Sequence, residues 1–219
     1  MYNENMKRKY WLTIILGVMA VLLTVSLLFI DKKAVGPNGS EVGFAGLNTA
    51  VAGNITPSKT WDKISDVLIA GIVASGAIFA VMGLVQWIGR KSFKKVDWNI
   101  KMLGVVYAVL ALLYVVFEKL IVINHRPLLV NEALEVSFPS THTLIAVTLA
   151  LTVVLTLKDY IKNKKVRVAL TCGLVLLAII TAASRILAGM HWTTDVLGGL
   201  LYGATLVSLY ANLRKEKNE

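Results

Sequence analysis

The sequence predicts an all-α integral membrane protein, a bundle of six transmembrane helices. Three observations carry this. Hydrophobic residues make up 56% of the 219-residue chain and its mean hydropathy is +0.68, too apolar for an ordinary soluble domain. The apolar residues come in six runs of roughly 15 to 22, near the length that spans a bilayer. Basic residues gather between alternate runs, as in a polytopic protein. The chain reads as a single domain, residues 1–219, with no soluble domain, low-complexity segment or internal repeat.

Lys7, Arg8 and Lys9 precede the first apolar run, from about Trp11 to Ile30. That run is too long for a cleavable signal and no small-x-small site stands before Asp31-Lys32-Lys33, so it reads as a transmembrane helix. Residues 31–65 connect it to the second. Gly36-Pro37-Asn38-Gly39 and Thr56-Pro57-Ser58 are loop chemistry. Between them Val42, Phe44, Leu47 and Val51 fit either a short surface helix or an irregular loop. Asn54-Ile55-Thr56 matches a glycosylation sequon and is read as a chance match.

Further runs follow at about Val67–Ile88, Met102–Phe117, Thr143–Leu157, Val168–Ala183 and Thr193–Leu213. The fourth and fifth are short, about 22 Å against a ~30 Å hydrocarbon core, and are expected to stop where their ends line a polar cavity. Gly199 and Gly203 form a small-xxx-small packing face. The single cysteine, Cys172, falls inside an apolar run and is expected to be a small buried hydrophobe.

Six helices put both termini on one side. Lys7, Arg8, Lys9, Arg90, Lys91, Lys94, Lys95, Lys101, Lys158, Lys162, Lys164, Lys165, Arg167, Arg214, Lys215 and Lys217 all fall on that side, against seven basic residues on the other. The positive-inside rule therefore places the termini in the cytoplasm. The net charge of +10 orients the chain and does not bind nucleic acid. Trp11, Trp61, Trp87, Trp98 and Trp192 fall near helix ends, as an aromatic belt requires.

Three polar groups then share the outer face. These are Lys119 with Arg126-Pro127, Pro139-Ser140-Thr141-His142, and Ser184-Arg185 followed by His191 and Asp195. Charged groups beside membrane spans are expensive and mark function. Lys119, Arg126 and Arg185 form a basic clamp suited to a phosphate. Ser140 and the free N–H groups after Pro139 open the fourth helix and suit an anion. Asp195 stands one helical turn after His191, so a carboxylate can hold one imidazole nitrogen and present the other as a nucleophile. His142 is the candidate acid for the leaving group. Each piece alone has a plainer reading, as an interface anchor, a helix start or a surface contact. Together they describe phosphoryl transfer with no metal site. His125 matches no part of the pattern and reads as a solvated loop residue.

In this order, Lys119-x6-Arg126-Pro127, Pro139-Ser140-x-His142 and Ser184-Arg185-x5-His191-x3-Asp195 resemble the tripartite signature of the type 2 phosphatidic acid phosphatase superfamily. The resemblance implies that His191 attacks phosphorus to form a phosphohistidine, that Asp195 orients it, and that His142 protonates the leaving oxygen. It implies that Lys119, Arg126, Ser140, Arg185 and the amide of Thr141 hold the phosphoryl oxygens. Thr141 departs from the family pattern, which has glycine there. A helical φ keeps the amide available, whereas a positive φ alters the cradle.

The expected function is a metal-independent membrane phosphatase, with no cofactor, whose partners are a lipid phosphate or diphosphate and the surrounding membrane lipids. An undecaprenyl diphosphate-type substrate comes first, and phosphatidylglycerophosphate or phosphatidic acid is the alternative. Rival classes are a non-catalytic lipid-phosphate binder or transporter and a vanadate-dependent haloperoxidase.

Overall fold

The computed structural model describes residues 2–215, with side chains from residue 10. The described elements run in chain order as α1 (Tyr2–Phe29), β1 (Lys33–Ala34), β2 (Glu41–Val42), α2 (Ala45–Ala52), α3 (Lys59–Arg90), α4 (Trp98–Val115), α5 (Thr141–Tyr160), α6 (Lys164–Leu187) and α7 (Thr193–Leu213). A π-helical turn over Val116–Leu120 continues α4. All the helices except α2 are long and apolar enough to cross a membrane. The protein is a multi-pass membrane protein built as a helical bundle. Of the basic residues used for orientation, Lys217 lies outside the described residues, and Lys7, Arg8 and Lys9 are described only as backbone of α1.

At the centre stands α5, the most deeply buried helix. Leu144, Ala146, Ala150 and Val153 are almost fully enclosed, and so are Thr148, Thr152 and Thr156. In lipid the contacts between helices come from close packing and from polar groups that find partners across the interface. Both devices are used. A Cβ on Gly199 would stand 2.7 Å from Ser140 O, and one on Gly203 would stand 2.9 Å from Val147 Cγ1. The expected glycine face therefore packs α7 directly on α5. Hydroxyls join the helices at Tyr107–Thr152 (3.1 Å), Thr156–Tyr210 (2.7 Å), Thr24–Tyr202 (2.9 Å) and Thr13–Ser208 (2.8 Å).

The two ends of the bundle differ. At one end Asp97 accepts from Gln86 (3.0 Å), Arg90 (2.9 Å) and Tyr160 (2.9 Å), and Asn99 donates to Asp159 (2.7 Å) and to Lys215 O (2.8 Å). These bonds tie the ends of α3, α4, α5 and α7 together. At the other end the β1–β2 hairpin, α2 and the loops before α5 and α7 gather over the bundle. Of the two readings left open for residues 42–51, the helix is the one found.

Five expectations are corrected. The fourth and fifth membrane helices are not short. They have 20 and 24 residues, because Asn163 caps α6 by accepting from the amides of Lys165 and Val166 and polar residues carry both helices past their apolar runs. The helix α3 begins at Lys59, not near Val67, and its 32 residues span about 48 Å. Cys172 is exposed rather than buried, on the outer side of α6, where lipid is as apolar a neighbour as a core. Trp192 is 4% exposed and donates its indole N–H to His125 O at 2.8 Å, so it belongs to the interior and not to a belt. The same bond, with an isolated β-bridge from His125 to Val136, makes His125 a half-buried structural residue.

Candidate active site

The α6–α7 turn sets the position of His191. Gly189 takes φ +70 there, the left-handed conformation that commonly ends a helix and suits glycine; a side chain would also meet Pro57 at 2.9 Å. His191 follows at 4% exposure. Its Nδ1 is 3.0 Å from Ser137 O, and since a carbonyl only accepts, Nδ1 carries the proton. Nε2 is buried with no partner and holds the lone pair. Burial pushes the ring down to about 4 against the opposing pull of Asp195, and the nearby positive charges of Arg185 and Arg126 push the same way. The ring is therefore neutral at neutral pH.

Asp195 lies 3.8 Å from Nδ1, beyond hydrogen-bond reach. Its Oδ2 accepts from Ser137 Oγ (2.7 Å) and Trp192 N (2.9 Å), and its Oδ1 from Asn124 Nδ2 (3.2 Å). The carboxylate thus fixes Ser137, whose carbonyl fixes the imidazole. Two buried asparagines brace this arrangement. Asn124 also accepts from Gly43 N (3.2 Å). Asn48, on α2, donates to Thr194 Oγ1 (2.9 Å) and accepts from Thr194 N (3.2 Å).

Arg185 enters from the last turn of α6 at 1% exposure. Its Nη1 donates to Asp62 Oδ1 (2.7 Å) and Ser65 Oγ (2.6 Å), both on α3, while its Nε is buried without a partner. Arg126 pairs with Glu135 at 3.2 Å and donates through Nε to Val136 O at 3.4 Å. His142, in the first turn of α5, meets Asp66 of α3, with Nε2 3.1 Å from Oδ1.

Ser140 is fully buried and caps α5, its Oγ accepting from Thr143 Oγ1 (3.0 Å) and Thr143 N (3.5 Å). Thr141 is the first residue of α5 and is absent from the positive-φ positions. Its amide therefore lies among the N–H groups that have no intrahelical acceptor. Lys119 is the predicted site residue that does not join the rest. It is exposed in the π-helical turn, and no hydrogen bond or ion pair links it to the group among the described residues.

Asp62, Ser65, Asp66, Asn124, Ser137 and Asn48 were not anticipated. Their only signal in sequence is polarity beside apolar runs, and each acts on a residue far along the chain. Two cavities adjoin the group and share Pro57 and Leu128. One of about 220 Å³ touches His191, Trp192 and Asn48; the other, of about 450 Å³, is lined by Lys59, Asp62, Lys63, Asn131 and Met190. Arg185 Nε and His191 Nε2 are thus both buried without partners; the first is an N–H that an anion's oxygen can take, and the second is a lone pair free to act as a nucleophile.

Residues 100–219, more than half of the chain, match the model of the PAP2 superfamily. The chain belongs to the PAP2 superfamily. The PAP2 match includes every predicted site residue from Lys119 to Asp195, whereas Asp62, Ser65 and Asp66 fall outside it. The fold of this PAP2 protein is similar to the crystal structure of the first transmembrane PAP2 type phosphatidylglycerolphosphate phosphatase from Bacillus subtilis. The TM-score is 0.56 at 20% sequence identity, over 92% of this chain and 94% of that one. A search of curated protein sequences gave no match.

Proposed function

We propose that this PAP2 protein hydrolyses the phosphate ester or diphosphate of a membrane lipid through a phosphohistidine on His191, without a metal. The observation that carries this reading is the neutral, buried His191 with Nδ1–H held by Ser137 and Nε2 unpartnered. Such a ring has its lone pair ready for phosphorus and needs no base to activate it. Arg185 and Arg126 supply positive charge for the phosphoryl oxygens, and the amides opening α5, Thr141 among them, supply donors. Asp195 acts through Ser137. His142 serves as the acid for the leaving oxygen and then as the base for the attacking water. Lys119, which meets none of these groups, is given no part in the clamp.

An undecaprenyl diphosphate-type substrate is our first choice. Lys59 and Lys63 line the larger cavity beside Asp62, where a second phosphate needs counter-charge. Phosphatidylglycerophosphate is the second reading, favoured by the similar Bacillus subtilis fold. The site faces outward if the basic segments face the cytoplasm.

Purified protein in detergent, offered each lipid in turn, tests this. Phosphate release should persist in chelator and be blocked by vanadate, whose trigonal-bipyramidal form mimics the transferring group. Loss of activity in chelator, restored by magnesium, refutes the metal-free mechanism. No release from any lipid leaves a binder or transporter.

A further inference from the structure

The first two turns of α3 bring a set of residues into the site that none of the three motifs contains. Asp62 and Ser65 take one nitrogen of Arg185. Asp66, one turn on from Asp62, meets His142 instead, at 3.1 Å. Among the described residues His142 has no other hydrogen bond or ion pair, so Asp66 is its one polar partner there. The Asp66 side chain is 60% exposed and that of His142 is 26% exposed. An ion pair so open to solvent adds little to folding. The projecting length of α3 explains how an open carboxylate stands here. Asp66 is only two turns from the end of a helix about 48 Å long, far longer than a ~30 Å hydrocarbon core.

We propose that Asp66 is a positioning residue for the acid–base histidine His142. The inference rests on the reading of His142 as the acid. The Asp66 carboxylate accepts the Nε2–H of His142 and holds the ring so that Nδ1 is the nitrogen serving the reaction. As the lone pair on His191 Nε2 forms the N–P bond, the P–O bond to the lipid breaks and its electron pair stays on the lipid oxygen. That oxygen takes the Nδ1 proton of imidazolium His142. The ring is left neutral, its Nε2–H still on Asp66. A water then forms the new O–P bond while giving a proton to Nδ1, and the N–P electron pair returns to His191.

An acid matters most where the leaving group is poor. A lipid alkoxide is poor, and p-nitrophenolate leaves without a proton. The test is kcat/KM, which covers the steps up to departure of the leaving group and excludes the water attack common to both substrates, for Asp66→Ala, Asp66→Asn, His142→Ala and the double variant Asp66→Ala/His142→Ala on a lipid monophosphate and on p-nitrophenyl phosphate. Asp66→Ala should lose at least tenfold in kcat/KM on the lipid and less than threefold on p-nitrophenyl phosphate. Asp66→Asn, which keeps the shape and an acceptor oxygen, should show the same split with a smaller loss, and it carries the test if Asp66→Ala does not fold. The double variant should be no slower than His142→Ala. Equal losses of Asp66→Ala on both substrates, or no loss, overturn the role of Asp66 while His142→Ala still shows the split. If His142→Ala itself loses both substrates equally, the acid reading fails and the positioning role with it.

Discussion

His191 combines a bound Nδ1–H, an unpartnered Nε2 and almost complete burial, and this has a consequence for stability. Its folded value is near 4, against an ordinary 6.5, with burial the largest cause. Between these values the unfolded chain binds the proton and the folded chain does not. Stability from this residue is therefore complete above about pH 6.5 and drains away as pH falls towards 4. The full difference is roughly 3 kcal/mol. The unfolding temperature of the wild type in detergent should fall more steeply over this window than that of His191→Gln. Parallel curves would contradict the assignment of a neutral buried ring. At Thr141 the same scale answers a question of chemistry. The residue opens α5 at an ordinary φ, so a threonine in place of the family glycine keeps its amide among the free donors of the helix start.

The contact of α7 with α5 links packing to chemistry at the level of elements. Gly199 lies against the carbonyl of Ser140 and the Cβ of Thr143, at 2.7 and 2.8 Å for an added Cβ. Ser140 is the cap of α5, and its own N–H donates to Asp195 O at 2.9 Å. A larger residue at Gly199 must push the start of α7, which carries Asp195, away from the start of α5, which carries His142. Gly199→Val should therefore cost about 1–3 kcal/mol in stability and lower turnover at least tenfold. Gly173→Val on α6, where nothing stands within 4 Å, should change neither. Thermal unfolding and phosphate release on the two variants check this. Equal behaviour would mean that the close approach of these helices does not support the site.

At the scale of the whole molecule the ends of the bundle separate two kinds of polar residue. One end holds the basic loops and the network of Asp97, Asn99 and Asp159; the other holds His191, Arg185 and their partners. The positive-inside rule predicts that the basic end faces the cytoplasm. In a Cys172→Ser background, a cysteine at the exposed Leu134 should react with an impermeant thiol reagent in intact cells. One at the exposed Lys162 should react only after the cells are opened. The reverse labelling would put the site in the cytoplasm.

Helix number and family were legible in the sequence, and so were the polar residues from Arg126 to Asp195 that gather at the candidate site, because each is written locally. Hydropathy over some twenty residues marks a span, and the spacing of polar residues beside the spans marks the three groups; that His191 stands in the turn before α7, on the Ser137 carbonyl and not on Asp195, was not legible. Helix ends were less legible, since caps and polar flanks extend a helix beyond its apolar run, and this hid the first two turns of α3. The partners of the site were decided only by packing. Asp62 reaches Arg185 across 123 positions, Asp66 reaches His142 across 76, and Asn48 reaches Thr194 across 146. No local period encodes such separations. They arise because α3 lies against α5 and α6 and α2 folds over α7. The same packing seats the His191 ring on the Ser137 carbonyl, with the Asp195 carboxylate behind it.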